Sequence, residues 1–196
     1  MDLIGDNGQV TDAEADAQVV GDEPRAPVQP RRLALFGLVA VAALVLDIVS
    51  KALVAAKLGD HPPVKVFGGA LYLVETRNSG AAFSMGTGAT VVLTVIALAV
   101  VGVILRTARR MHSVGWAVAL GLILGGALGN IVDRLFRAPG VGRGHVVDWI
   151  SLFSNDGSRF AIFNLADSAI TCGAVLAALL ALRGIDLDGR RATRDR

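Results

Sequence analysis

Four apolar runs divide this chain, from Leu33 to about Ala56, Thr87 to Leu105, Ser113 to Val132 and Phe163 to Leu182. At about 1.5 Å of rise per residue, some 20 residues cross the hydrocarbon of a bilayer, so each run predicts a transmembrane helix. The composition agrees: 53% of the 196 residues are hydrophobic and only 18% are charged, with a mean hydropathy of +0.57. Such values belong to a polytopic membrane protein and not to a soluble domain with a buried core.

The connecting segments set the organisation. Residues 1–30 carry seven acidic residues and three prolines with little apolar periodicity, which predicts a disordered tail and no cleavable signal peptide. Residues 31–183 form the membrane domain, and 184–196 a basic tail. Between the first two spans, Pro62-Pro63 is followed by Val64 to Phe67 and Leu71 to Thr76, and between the last two lies His145 to Phe153. These β-type stretches are too short to cross a membrane and predict a small sheet outside it. The expected fold is membrane all-α: four transmembrane helices, a small extracytoplasmic β-sheet region and a disordered N-terminal tail. Gly121, Gly125 and Gly129 recur every four residues in the third span, a pattern that lets membrane helices pack closely.

Composition also excludes some partners. A net charge of +2, with basic residues spread along the chain, argues against nucleic acid. The single cysteine, Cys172, permits no intramolecular disulfide and reads as a small buried hydrophobe.

Aspartates in or beside the spans require a reason, because an ionised aspartate in hydrocarbon costs at least about 2.5–3.5 kcal/mol. Asp167 heads the fourth span, nineteen positions after Asp148. Asp47 and Lys51 share a face near the end of the first span, either as an ion pair that snorkels to the interface or as a pair that shapes a nearby site. Asn130, Asp133 and Arg134 close the third span, and Asp133 at a helix C-terminus calls for a cation, with Arg134 the nearest. Of the 19 Lys and Arg, 11 fall in the termini and the Arg106–Arg110 loop, which places both termini in the cytoplasm. That topology brings Asp47, Lys51, Asn78, Asn130, Asp133, Asp148 and Asp167 to one level at the outer boundary. Scattered structural residues have no cause to agree in depth, whereas a site produces such agreement. Two carboxylates that meet there can share a proton, one activating water and the other acting as acid.

The motifs Asn78-Ser-Gly-Ala-Ala-Phe-Ser84, Gly125-Gly-Ala-Leu-Gly-Asn-Ile-Val-Asp-Arg134, Val146-Val-Asp-Trp149 and Phe163-Asn-Leu-Ala-Asp167, in this order across four spans, resemble the lipoprotein signal peptidase (signal peptidase II) family over about residues 33–183. The resemblance implies a bacterial intramembrane aspartic peptidase that cleaves diacylglyceryl-modified prolipoproteins before the lipidated cysteine. It implies a catalytic dyad of Asp148 and Asp167, supported by Asp47, Lys51, Asn78, Asn130, Asp133, Arg134 and Asn164. The expected protein is a monomer in contact with membrane lipid in the bacterial inner membrane, and the topology puts its active site at the outer face. Two departures stand out: Ile48 replaces the usual glutamine after Asp47, and the 135–144 excursion is longer than in many members.

Residue chemistry runs the same way. Asn164 is placed to cap the fourth helix, which puts Asp167 in its first turn, where the helix dipole favours the ionised form. Asp167 is then the more easily ionised partner and Asp148 the proton holder of a jointly titrating pair. No cofactor or metal is expected, since no His/Cys/carboxylate cluster is visible, and His145 reads as a bystander. Two other classes stay open at this level. One is a small transporter or lipid-handling protein, whose site would usually lie near the midplane between repeats. The other is a Ser/Lys peptidase using Lys51 with Ser50, Ser79, Ser84 or Ser168, none of which sits in a distinctive motif.

Overall fold

The computed structural model describes residues 31–59, 61–80 and 87–191. The expected tail at 1–30 and much of the Asn78–Ser84 motif lie outside them. The elements are α1 (Leu33–Leu58), β1 (Val64–Val66), β2 (Leu71–Asn78), α2 (Thr87–Ala108), α3 (Val114–Phe136), β3 (Val146–Leu152) and α4 (Leu165–Leu182). All four helices are long and apolar enough to cross a membrane. The fold is therefore four such helices with one small antiparallel sheet, ordered β1-β2-β3.

Helix α3 is the centre of the bundle. Half of its most apolar stretch is buried, against 17% or less in the other three. It packs against α1 and α4 and less extensively against α2. Glycine makes both main contacts possible. A Cβ at Gly121 or Gly125 would meet the backbone carbonyls of Phe36 or Ala40 on α1, one at Gly129 the carboxylate of Asp47, and one at Gly126 the carbonyl of Ala166 on α4. Without a hydrophobic drive between helices in lipid, such backbone proximity is what dispersion and polar contacts require. On the perimeter, Leu38, Val41, Val95, Val103 and Val175 are exposed, which suits a surface solvated by acyl chains. Cys172 faces outward as well. The inward reading from sequence is corrected, because α4 meets its neighbours through Ala166 and Gly173 and leaves Cys172 on the outer side.

The sheet has one irregularity with consequences for the site. Leu71, Tyr72 and Leu73 pair with Leu152, Ser151 and Ile150, but Thr76, Arg77 and Asn78 pair with Asp148, Val147 and Val146. One extra residue on β2 is a bulge, and a one-residue shift exchanges the two faces of a strand. In an unbroken register Glu75 would stand opposite Asp148. The bulge puts Thr76 there, with Asn78 two positions along on the same face.

Replacing Gly126 by valine forces a branched side chain against the Ala166 backbone, and overpacking of this kind costs about 1–3 kcal/mol. Gly126→Val is expected to lower the melting temperature in detergent. Gly102→Val, where a Cβ meets nothing within 4 Å, leaves it close to wild type; equal effects would contradict the packing account.

Candidate active site

Asn164 organises the site from the N-terminus of α4. Its extended backbone ends the preceding loop, its Oδ1 accepts from Asp167 N at 2.9 Å, and Asp167 Oδ2 accepts from Asn164 N at 3.2 Å. This reciprocal capping box satisfies two helix-end amides and fixes the Asp167 rotamer. The Asn164 amide is left to point away, and its Nδ2 donates to Asp148 Oδ1 at 2.6 Å and to Asn130 Oδ1 at 3.3 Å.

Asp148 projects from β3 and is 3% exposed. Its second oxygen accepts from Asn78 Nδ2 at 2.9 Å, the contact that the β2 bulge makes possible. Asn78 is itself held by its Oδ1, which accepts from Gly80 N at 2.7 Å. Asp167 Oδ1 accepts from Asn130 Nδ2 at 2.8 Å. Each of the two carboxylates thus receives two hydrogen bonds, and the pair is joined through the side chains of Asn164 and Asn130. Burial pushes the Asp148 carboxyl up to about 6, and the negative charge of Asp167 acts in the same direction. Hydrogen bonds from Asn78 and Asn164 and the charge of Lys51 hold it back.

Beneath this pair lies a second layer. The Lys51 ammonium is fully buried, 2.7 Å from Asp47 Oδ2 and 3.0 Å from Asp133 Oδ2, and it donates to Asn130 Oδ1 at 2.9 Å. Asp47 Oδ1 accepts from Ala166 N at 2.9 Å, tying α1 to the first turn of α4. Both side chains are inaccessible. Of the two readings of Asp47 and Lys51, snorkelling to the interface is the one this burial removes.

Asp133 finds different partners from the one expected. Arg134 follows it directly and so projects about 100° away around the helix; its Nη1 donates to Asn130 O at 3.2 Å. Asp133 pairs with Lys51 across the bundle and with Arg137 one turn on, and it accepts from Val147 N at 3.2 Å. Arg137 was not singled out from sequence, although its i+4 spacing from Asp133 was the available signal. Backbone donors such as Val147 N and Ala166 N carry no signal in residue type. His145 has no side-chain hydrogen bond among the described residues and uses its backbone N–H to reach Ala138 O.

One recess reaches Asp148, and another reaches Asn130 and Arg134. A polar cleft of about 320 Å³ runs from Asp148 and Asn78 past Thr76, Arg77 and Ser79 to Asp156, Gly157, Ala161 and Ile162. An apolar crevice of about 220 Å³ lies between α2, α3 and α4, walled by Leu93, Ile96, Ala97, Val100, Ile123, Ala127 and Ile170, with Asn130 and Arg134 also lining it. The cleft reaches Asp148 directly, whereas the crevice reaches the pair only through Asn130, the donor to Asp167.

Removing the buried cation tests the lower layer. Lys51→Met leaves Asp47 and Asp133 facing each other in an apolar bundle, a loss of about 3–5 kcal/mol for a broken buried pair. The melting temperature in detergent is expected to fall sharply, and Lys51→Met/Asp133→Asn is expected to recover part of the loss. A single variant as stable as wild type would show that the pair is not structural.

The chain's similarities agree with this arrangement. The family model described as "Signal peptidase (SPase) II" matches residues 39–183. Proteins named lipoprotein signal peptidase are 54% identical in Streptomyces coelicolor, over 81% of this chain and 76% of that one, and 49% identical in Mycobacterium tuberculosis strain H37Rv, over 86% and 82%. The one from Rhodococcus jostii is 45% identical over 92% and 90%. A solved bacterial membrane enzyme superposes with a TM-score of 0.68 at 29% identity, covering 81% of this chain and 99% of the other. With four membrane-crossing helices and a family match over most of its length, this multi-pass membrane protein belongs to the signal peptidase II family.

Proposed function

We propose that the chain is an aspartic endopeptidase that removes the signal peptide from diacylglyceryl-modified prolipoproteins, cutting before the lipidated cysteine. The observation that carries this reading is the carboxylate pair, Asp148 and Asp167, held from two different elements by shared asparagine donors. Asp148 lines a polar cleft, and Asn130, the donor to Asp167, lines an apolar crevice. A polypeptide with a lipid attached next to the scissile bond needs both surfaces at once.

In this mechanism the ionised Asp167 takes a proton from a water while the protonated Asp148 donates to the scissile carbonyl oxygen. The hydroxide adds to the carbonyl carbon and gives a tetrahedral diol. Collapse breaks the C–N bond as one diol hydroxyl returns its proton to Asp148 and re-forms the carbonyl, while the proton held by Asp167 passes to the leaving amine of the cysteine. Asn164, Asn130 and Asn78 position the two carboxylates. Lys51, Asp47, Asp133 and Arg134 position the asparagines and the helix ends that carry them. No cofactor or metal is assigned a role. The enzyme works as a monomer in the bacterial inner membrane, its termini cytoplasmic and its active site at the outer face, with the substrate's acyl chains against the α2–α4 crevice.

The Ser/Lys alternative has less support. Lys51 is spent on Asp47, Asp133 and Asn130, while Ser50 and Ser168 donate to the carbonyls of Asp47 and Asn164.

Cleavage of a diacylglyceryl-modified prolipoprotein in detergent tests the dyad. Asp148→Asn and Asp167→Asn are each expected to lose about 10²–10⁴-fold in rate with unchanged melting curves, and a chelator to change nothing. Wild-type cutting by either variant would remove that aspartate from the mechanism.

The pH dependence has a defined sign. A carboxyl raised to about 6 surrenders its proton as pH rises through that value, so kcat/KM is expected to decline on the alkaline side from about pH 6. Asn78→Ala deletes a hydrogen bond that favours the ionised form, which moves this limb to higher pH. A shift to lower pH would assign the titration to another group.

A further inference from the structure

At the end of the bundle opposite the carboxylates, the last described residues are folded and not simply trailing. His112 N and Ser113 N both donate to Leu187 O, at 2.8 and 3.0 Å, and Asp186 N donates to Arg190 O at 2.9 Å. Trp116 Nε1 donates to Ile185 O at 2.7 Å, and Ile185 bridges to Arg191 in an antiparallel pairing. This small hairpin lies across the start of α3 and presses Leu187 against the core formed by Phe36, Ile104, Ala108 and Met111.

Leu187 thereby becomes one wall of a recess of about 220 Å³ whose remaining lining is Arg106 and Thr107 from the last turn of α2 and Arg110 just beyond it. Arg106 lies in the last turn of α2 and Arg110 in the turn that follows it, and both line the recess. Among the described residues neither takes part in an ion pair. The nearby acidic residues in sequence are Asp186 and Asp188 of the hairpin. Neither lines the recess, and Asp188 is engaged by Arg190, through its N–H at 2.9 Å and Nε at 3.7 Å. One turn before Arg106, Val103 is 64% exposed on the perimeter, so the recess opens beside acyl-chain surface.

Arginines at the end of a span are accounted for in general by the helix dipole and by loop charge bias. Neither effect requires a folded wall opposite them. A two-guanidinium cup with one apolar side, set where a helix leaves the hydrocarbon, matches the phosphate of an anionic glycerophospholipid in charge, donor geometry and depth. We propose that this recess binds the headgroup of one anionic phospholipid between Arg106 and Arg110, with its chains along α2 below Val103. The site is separate from the carboxylates: seventeen residues of α3, from Val114 to Asn130, place it about 25 Å away along the bundle.

The test is native mass spectrometry of the full-length protein in non-ionic detergent, titrated with phosphatidylglycerol, phosphatidylcholine or inorganic phosphate. Arg106→Gln/Arg110→Gln is compared with Arg31→Gln/Arg109→Gln, which removes two charges from the same end outside the recess. Melting curves confirm that both variants are folded. Wild type is expected to retain one phosphatidylglycerol and neither of the other probes. The recess variant is expected to lose affinity about tenfold or more and the control less than about twofold. Equal loss in both variants would reduce the feature to a diffuse basic surface. Equal retention of phosphatidylcholine would remove the anion requirement, and phosphate bound as tightly as phosphatidylglycerol would make the recess a free-anion site; each of these outcomes overturns the proposal.

Discussion

The ammonium of Lys51 sits between Asp47 and Asp133 with no access to water. Its surroundings are helices that face hydrocarbon on their outer sides. A lone charge in that setting is strongly disfavoured, and so is a lone carboxylate, which means the three groups are stable there only together. Because they come from α1 and α3, meeting this constraint sets the axial register of the two helices. Asp47 then spends its other oxygen on Ala166 N, so α4 is brought into the same register. The glycine seam of α3 completes the arrangement by letting the backbones come close enough for these short side chains to reach.

Everything above that layer is hung from it. Lys51 holds Asn130 by its oxygen, which obliges the Asn130 amide to donate upward to Asp167. The cap at Asn164 does the same in a second direction, fixing Asp167 with its backbone exchange and Asp148 with its amide. Amide side chains suit this task because they present a donor and an acceptor in fixed opposition, so one satisfied end orients the other. Buried networks of this kind are stable only when each member is satisfied. The carboxylates accordingly arrive at the cleft with their positions decided and one of them, Asp148, already biased by burial toward holding a proton.

Several features were legible from residues alone. Chain segments of about 20 apolar residues are long enough to have one reading, and their order forces the polar residues near span ends to one level. The Asn164 cap and the first-turn position of Asp167 follow from local helix chemistry, which depends on near neighbours in sequence. The glycine spacing of α3 likewise announced a packing seam. Asp133 shows the limit of local reasoning. The adjacent Arg134 was the natural partner by sequence distance, yet a helix turns neighbouring side chains apart and the cross-bundle Lys51 with Arg137 took its place.

The sequence by itself determined the four spans, the small sheet and the identity of the polar residues that gather at one end, because these depend on hydropathy, length and topology. Only the tertiary structure decided how those residues connect. The bulge in β2 selects Asn78 to reach Asp148 and places Thr76, not Glu75, opposite it; it rests on strand pairing 70 residues apart. The same is true of Lys51 bridging two helices, of backbone amides at Ala166 and Val147 acting as donors, and of Leu187 folding back to wall a recess. Each is a contact between distant segments, set by the competition among all possible neighbours for a place in the packed bundle, and no single stretch of sequence contains that competition.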